Sequence, residues 1–171
     1  MSEIQKIEVG AMLARKIEKF NGKILNKKPL PSRIKKNPYA NNALYISISD
    51  VEMDMDKVFF GQWSCRMVGQ PQILGNSVVV SVEVEFLHPV SGNWLVRVGT
   101  GAQDVQTDAN GRAKAKALIK AVPAAKSTAF KNACKSIGKL FGRDLNRTDE
   151  AQFAETAEAI SNIVNPANDG E

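Results

Sequence analysis

Regularly spaced apolar positions predict helices and strands along most of the chain. Apolar residues three or four positions apart predict an amphipathic helix over residues 3–20. Alternation over residues 45–48 predicts a short strand, and Ser49–Asp50 is typical of the start of a short helix that ends at Gly61. The prolines, asparagines and lysines of residues 21–43 instead indicate an extended, partly ordered basic arm.

Three further strands follow, and their spacing predicts an antiparallel meander. The first begins at Trp63, the second covers residues 78–87, and the third begins at Trp94. The second strand has one wholly apolar face, and Glu83 and Glu85 lie on its other face. Because the turns between these strands are short, consecutive strands are expected to pair antiparallel.

The segment after the meander predicts helices that carry basic residues. An Ala- and Lys-rich stretch over residues 113–122 favours a first helical piece. Pro123 suits the first turn of a new helix, where its missing N–H costs nothing, and Gly142 is placed to end that helix. A last helix is expected near residues 149–163.

Charge is segregated along the chain, which is typical of a protein that binds a polyanion. Residues 1–40 hold ten basic and three acidic residues, and residues 99–147 repeat that balance. Residues 41–98 hold three basic and six acidic residues, and residues 148–171 hold six acidic residues and no basic one. The pattern divides the chain into three parts: an N-terminal helix and basic arm (1–43), a core (44–147) and an acidic C-terminal helix or tail (148–171).

Scarce residue types exclude several kinds of chemistry. Cys65 and Cys134 are the only cysteines, which rules out a disulfide framework and indicates a reducing compartment; both are expected in the core. His88 is the only histidine, so no zinc site can use several Cys and His side chains, and we expect His88 to be exposed in its turn. The sequence contains no glycine-rich P-loop and no apolar run long enough to cross a membrane.

The basic residues around the last predicted core helix are the sharpest functional signal. No acidic residue lies between Pro123 and Gly142, and unpaired like charges repel unless an anion lies over them. A phosphate backbone would supply that anion and would release counterions on binding. Three of the lysines are four apart and therefore share a helix face. The candidate DNA-binding residues are Lys126, Lys131, Lys135, Lys139, Arg143, Arg112, Lys114 and Lys116.

This order of motifs resembles the Rad-fifty-two superfamily of single-strand annealing proteins. The similarity covers about residues 44–147 and includes Phe60-Gly61 after the short helix and Val98-Gly99-Thr100-Gly101 in the third strand. Its most specific part is the helix from Ala125 to Gly142, where basic residues precede Ser136-Ile137-Gly138-Lys139-Leu140-Phe141-Gly142.

The resemblance implies an α+β fold with a β-β-β-α core, in which the antiparallel three-strand meander packs on a long basic helix. It implies assembly into a ring or a helical oligomer, and annealing of complementary single DNA strands in recombination and repair. No ATP, cofactor or enzymatic activity is expected. The implied partners are single-stranded DNA, further copies of the chain, and a single-strand binding protein or a partner exonuclease, but no membrane. The expected location is the cytoplasm of a bacterial or phage-infected cell, associated with the nucleoid.

The resemblance also assigns roles to particular residues. Lys131 and Lys135 match helix positions that touch the backbone of an inner DNA strand, and residues 112–116 match a segment of an outer DNA path. Asn132 stands where eukaryotic members have a basic residue, which weakens that contact. Ser49–Asp50 stands where the family often has an arginine, so no contact is carried over there.

Other functions stay open on the residues alone. A meander followed by a basic helix is also the outline of a double-stranded RNA-binding module. Glu83, Glu85 and Asp104 are carboxylates of the kind that hold magnesium in a nuclease. A purely structural subunit of an oligomer is a further possibility. The acidic segment 148–171 either competes with phosphates for the basic surface or packs on the core as a helix.

Overall fold

The computed structural model describes residues 3–114 and 116–147, so the segment 148–171, with its expected helix, lies outside the described residues. Helix α1 covers Glu3–Phe20, which confirms the range predicted from the apolar spacing, and a π-helical turn over Asn21–Leu25 continues it. None of the described helices is long and apolar enough to cross a membrane.

The segment 21–43 is folded rather than an extended arm. A 3₁₀ turn over Pro31–Arg33 leads into strand β1 (Ile34–Asn37), which pairs antiparallel with β2 (Ala43–Ile46). The prediction missed β1 because the strand is only four residues long and three of these are polar, so it carries no alternating apolar signal.

An ion pair anchors this segment to the next helix. The Arg33 guanidinium donates a 2.5 Å hydrogen bond to the buried carboxylate of Asp54 and lies 3.8 Å from that of Asp50. The hydrogen bond to Asp54 raises the pKa of Arg33, with further contributions from both carboxylates. The charge of Arg33 is therefore paired within the fold.

Helix α2 covers Ile48–Phe59 and begins slightly earlier than predicted. The hydroxyl of Ser47 accepts a hydrogen bond from the Asp50 N–H, which caps the helix, so that its first residue is Ile48. At the other end Phe60 and Gly61 both adopt left-handed backbone conformations, with φ of 54° and 71°. This reversal ends the helix at the predicted place.

The main sheet is antiparallel, as predicted. Its strands are β3 (Trp63–Met67), β4 (Gln72–Leu74), β5 (Ser77–Leu87) and β6 (Trp94–Asp104). β5 lies in the middle, β6 pairs with it along one edge, and β3 and β4 pair with successive parts of its other edge. Between β3 and β4 the Val68 N–H still donates a hydrogen bond to the Ser81 carbonyl, so these two strands form one interrupted edge of a meander.

Helix α3 (Ala117–Lys135) covers the inner face of this sheet. Alternate residues of β5, from Val78 to Phe86, are at most 2% exposed beneath it. Gly99 and Gly101 of β6 lie against the backbone of α3, where a Cβ atom on either glycine would overlap main-chain atoms of the helix. The two glycines therefore allow the helix to lie unusually close to the strand.

The bounds of α3 differ from those predicted. The helix is continuous through Pro123, which lies within it instead of beginning a new helix, and it ends at Lys135 well before Gly142. After that end Gly138 passes so close to the Leu25 carbonyl that a side chain at Gly138 would overlap it. Packing against the π-helical turn thus redirects the chain, which a local pattern of apolar residues does not reveal.

Candidate nucleic-acid interface

The β1–β2 hairpin and the outer face of α3 bring basic and aromatic side chains together. The Nζ atom of Lys131 lies 5.4 Å from the centroid of the Tyr45 ring. Lys35 is the cross-strand partner of Tyr45, and directly paired residues project from the same face of a hairpin. Lys135 lies one helical turn beyond Lys131. We call these four residues, Lys35, Tyr45, Lys131 and Lys135, the hairpin–helix site.

Lys131 is the most constrained cation of this site. It is partly buried, and desolvation together with the neighbouring charge of Lys135 lowers its pKa. An anion placed over the two lysines would offset both effects, because it would neutralise the repulsion and replace the lost hydration. The site is therefore suited to a phosphate group.

Asn132, which lies between Lys131 and Lys135 in the sequence, links α3 to the edge of β6. Its Nδ2 atom donates a 2.9 Å hydrogen bond to the Thr100 carbonyl at the edge of β6. Its Oδ1 atom lies 3.4 Å from the Nζ atom of Lys135, which orients that lysine.

The predicted lysine face is shorter than expected, because Lys139 does not belong to α3. Lys139 begins a separate 3₁₀ turn over Lys139–Phe141. Arg143 donates from Nε to the Lys135 carbonyl at 2.9 Å and from its terminal nitrogen to the Ser136 carbonyl. Arg143 therefore caps the C-terminus of α3, where a positive charge also suits the helix dipole.

Lys139 and Arg143 line a groove next to the hairpin–helix site. The groove has a volume of about 530 Å³, and its walls come from residues 27–34 and from residues 139–147. We call it the basic groove, because five basic residues and one acidic residue line it: Lys27, Lys28, Lys139, Arg143, Arg147 and Asp144.

A second set of basic residues lies at the other end of α3. Arg112 and Lys114 belong to the loop that follows β6, and Lys116 precedes the first helical residue with a left-handed φ of 63°. All three side chains are exposed. Since α3 rises about 1.5 Å per residue, this loop cluster lies about 27 Å from Lys135 along the helix axis.

Lys126 is separate from both groups. It lines a small cleft of about 240 Å³ together with Trp63, Cys65 and Glu52, on the side of α3 that faces α2 and β3. Trp63 packs on Phe130 with ring centroids 5.5 Å apart, so it is part of the edge of the core. The structure thus does not bring Lys126 together with Lys131.

The two cysteines have no activated thiol. Burial raises the pKa of the Cys65 thiol despite the nearby charge of Lys126, and it also raises the pKa of the Cys134 thiol. Cys134 is fully buried, as predicted, and Cys65 is partly buried. Neutral thiols in these positions behave as small apolar side chains.

The three carboxylates considered for a metal site do not form one cluster. Glu83 forms a hydrogen-bonded ion pair with Arg66 across the strands. Asp104 instead accepts a 2.6 Å hydrogen bond from the Ser77 hydroxyl. Ser77 lies six residues before Glu83 on β5, a distance of about 20 Å along the strand. Among the described residues no group of three Asp, Glu, His or Cys side chains is placed to hold a metal ion.

His88 is buried, contrary to the expectation of an exposed turn residue. Only 4% of it is accessible, and its ring packs edge-on against Phe20 at 5.0 Å. Nδ1 accepts a hydrogen bond from the Ser91 N–H at 3.2 Å, which leaves the proton on Nε2, 3.4 Å from Asn21 Oδ1. The histidine joins the end of α1 to the sheet, and desolvation lowers its pKa.

Sequence reasoning missed the contribution of the hairpin, including one conspicuous side chain. Tyr39 lies at the hairpin tip and is 98% exposed, next to Asn41 and Asn42, which both have left-handed backbones. The signal in the sequence is Pro-Tyr-Ala-Asn-Asn at residues 38–42, a composition typical of a turn.

In comparisons with known proteins, no family model matches this chain and no curated protein is significantly similar to it.

Proposed function

We propose that this protein binds single-stranded DNA and anneals complementary strands without ATP. The observation that carries the proposal is the hairpin–helix site, where Lys131 and Lys135 lie beside Tyr45 and Lys35 with no acidic side chain of α3 near them. Proteins that bind single strands combine cations that follow the backbone with aromatic rings on which bases stack.

The proposed contacts go to the backbone rather than to base edges. Lysine ammonium groups neutralise phosphates without a fixed geometry, so they do not select a sequence. A strand held in this way keeps its base edges available for a second strand, which is the requirement for annealing. Tyr39 at the exposed hairpin tip adds a ring able to stack on an unpaired base.

The loop cluster fits a second strand path in the same proposal. Arg112, Lys114 and Lys116 are exposed and lie about one α3 length away from Lys135. One strand on each basic surface would bring two single strands to the same molecule. A duplex reader would instead need its cations spaced to follow two grooves of one rigid helix.

Assembly into a ring or helical oligomer is part of the proposal. Within the described residues β6 has a strand partner along only one edge, although the strand is eleven residues long. In α1 the side chains of Ile7, Val9 and Met12 are 51–69% exposed. Long open edges and unpacked apolar helix faces are features that neighbouring subunits cover in oligomers.

The decisive experiment is annealing of two labelled complementary oligonucleotides in EDTA without ATP. We expect annealing, and we expect binding of single strands to weaken with a log–log salt slope of about −3.5, for roughly five neutralised phosphates. A response that is flat between low and physiological salt would contradict the electrostatic site. Preference for duplex RNA would favour the RNA-binding alternative, and strand cleavage on addition of magnesium would favour a nuclease.

A further inference from the structure

The basic groove has properties that the proposed DNA contacts do not use. Its floor is apolar, formed in part by Leu30, Ile34 and Leu145, and Leu30 is 55% exposed. A phosphate backbone gains nothing from such a floor. An exposed apolar floor under a basic rim fits a peptide with both acidic and apolar side chains.

Two cations on the rim of the groove, Lys27 and Arg147, are exposed to the solvent. Asp144 is its one acidic residue, and its Oδ1 atom lies 3.0 Å from Arg147. Arg147 remains 71% exposed despite this contact. Lys27 and Arg147 thus present positive charge to the solvent at the rim of the groove.

The acidic segment 148–171 has the matching composition and begins at the groove. It follows directly on Arg147, which lines the groove, and it holds six acidic residues and no basic one. It also contains large apolar residues, among them Phe153, Ile160 and Val164. We propose that this segment binds in the basic groove of its own chain, with carboxylates on the rim and apolar side chains on the floor.

A tether makes such binding effective even when the contacts are individually weak. A flexible link of a few residues gives an effective concentration in the millimolar range. At 24 residues the segment is also long enough to cross the groove, since an extended chain spans about 3.3 Å per residue. Neither the length of the segment nor its effective concentration at the groove therefore limits the interaction.

The consequence rests on the proposed function, because the groove adjoins the hairpin–helix site. A neighbouring depression of about 620 Å³ is lined by Lys135 and shares four residues with the groove: Arg143, Asp144, Leu145 and Arg147. Carboxylates bound there compete with phosphates approaching Lys135. The acidic segment thus weakens non-specific binding of DNA, because it is displaced only by strands that contact the whole hairpin–helix site.

The binding itself is tested by photo-crosslinking in the full chain. Phe153 is replaced by benzoylphenylalanine, and crosslinked peptides are identified by mass spectrometry. We expect crosslinks to residues 27–34 and 139–147, and we expect their loss in the double variant Lys27→Glu/Arg147→Glu. Crosslinks elsewhere, or solely between differently labelled copies of the chain, would overturn the proposal.

The competition is tested with two full-length variants of equal charge. Glu150, Glu155 and Glu158 are changed to Gln in one variant, and Glu3, Glu8 and Glu18 of α1 in the other. The first is expected to bind single-stranded DNA about tenfold more tightly at low salt, and the second to resemble the unmodified chain. Equal effects would show a net-charge effect only and would contradict competition. Groove crosslinks without any DNA binding would instead refute the proposed function and leave the groove assignment standing.

Discussion

The Nζ atom of Lys131 lies 5.4 Å from the centroid of the Tyr45 ring, which joins helix α3 to the β1–β2 hairpin. The contact has the distance of a cation–π interaction, worth about 0.5–1 kcal/mol at such a site. It also holds the ammonium group next to Lys135, although the two charges repel. The predictions on DNA binding rest on this arrangement, in which Lys131 and Lys135 lie side by side next to the Tyr45 ring.

The double variant Lys131→Ala/Lys135→Ala should abolish annealing while the fold persists. Loss of two phosphate contacts is expected to reduce the magnitude of the log–log salt slope by about 1.4. Stability should fall by only about 1 kcal/mol, because Lys135 is exposed and Lys131 loses little more than its contact with Tyr45. Fluorescence anisotropy with labelled oligonucleotides measures binding, and urea titration measures stability.

Lys126→Ala is the matched control for that variant, since it removes a lysine from the same helix on the side that lines the Trp63 cleft. Its binding of single strands should stay within twofold of the unmodified protein. Because the control removes one positive charge and the double variant removes two, a loss of binding free energy in the control half as large as that in the double variant would mean that the net charge of the helix, and not the hairpin–helix site, determines binding.

Binding of single strands should begin to weaken at a lower pH than it would if Lys131 had the pKa of an ordinary lysine. Desolvation and Lys135 lower the pKa of Lys131 from 10.5, so this ammonium group loses its proton first as the pH rises. The variant Lys131→Arg keeps its charge throughout this range, so its binding should weaken less as the pH rises. Binding curves measured from pH 7 to pH 10 test the difference, and identical profiles for the two proteins would refute it.

Replacement of the hairpin-tip tyrosine should affect binding without affecting the fold. Tyr39 is 98% exposed, so Tyr39→Ala removes no packing. If its ring stacks on a base, the variant loses about 1–3 kcal/mol of binding free energy, and Tyr39→Trp retains it. Quenching by added oligonucleotide of the fluorescence of Tyr39→Trp, beyond the quenching of Trp63 and Trp94 in the unmodified protein, measures the contact. Unchanged affinity of the alanine variant would exclude Tyr39 from the interface.

The elements predicted correctly are those whose signal is local. α1 and β5 have apolar residues at a constant period, and each occupies the predicted range to within one residue. β6 begins at Trp94, as predicted, and its pairing with β5 continues through Gly99 and Gly101 to Asp104. A constant period was sufficient in both cases, although β5 has one face buried along its length and α1 leaves Ile7 and Met12 exposed.

The parts of the site that were missed depend on contacts between distant segments. Lys35 acquires its place because β1 pairs with β2, and Arg143 because it reaches back to the end of α3. The burial of His88 likewise depends on Phe20, sixty-eight residues earlier in the sequence. No local pattern contains these relationships, so the sequence predicted the lysines of α3 but neither the hairpin beside them nor the groove.

Gly99→Ala should destabilise the protein strongly for a conservative change. A Cβ atom at Gly99 would overlap the Ala129 carbonyl and the backbone of Ala133, so α3 would have to move away from β6. Overpacking of this kind costs about 1–3 kcal/mol. Urea unfolding followed by circular dichroism measures the change. Gly10→Ala is the control, because space around Gly10 is open and alanine favours a helix interior by about 1 kcal/mol; equal stability of the two variants would contradict the close packing.

Acid should loosen the attachment of α1 through His88. Burial lowers the pKa of His88 below its ordinary value of 6.5, so the unfolded chain takes up the proton before the folded chain does. Stability is therefore complete above pH 6.5 and decreases as the pH falls towards the folded-state pKa, by at most about 1.4 kcal/mol per pH unit. His88→Gln cannot take up this proton, so its free energy of unfolding should change less between pH 7.5 and pH 5.5. Parallel pH profiles for the two proteins would show that the ring next to Phe20 and Asn21 is not the group that titrates.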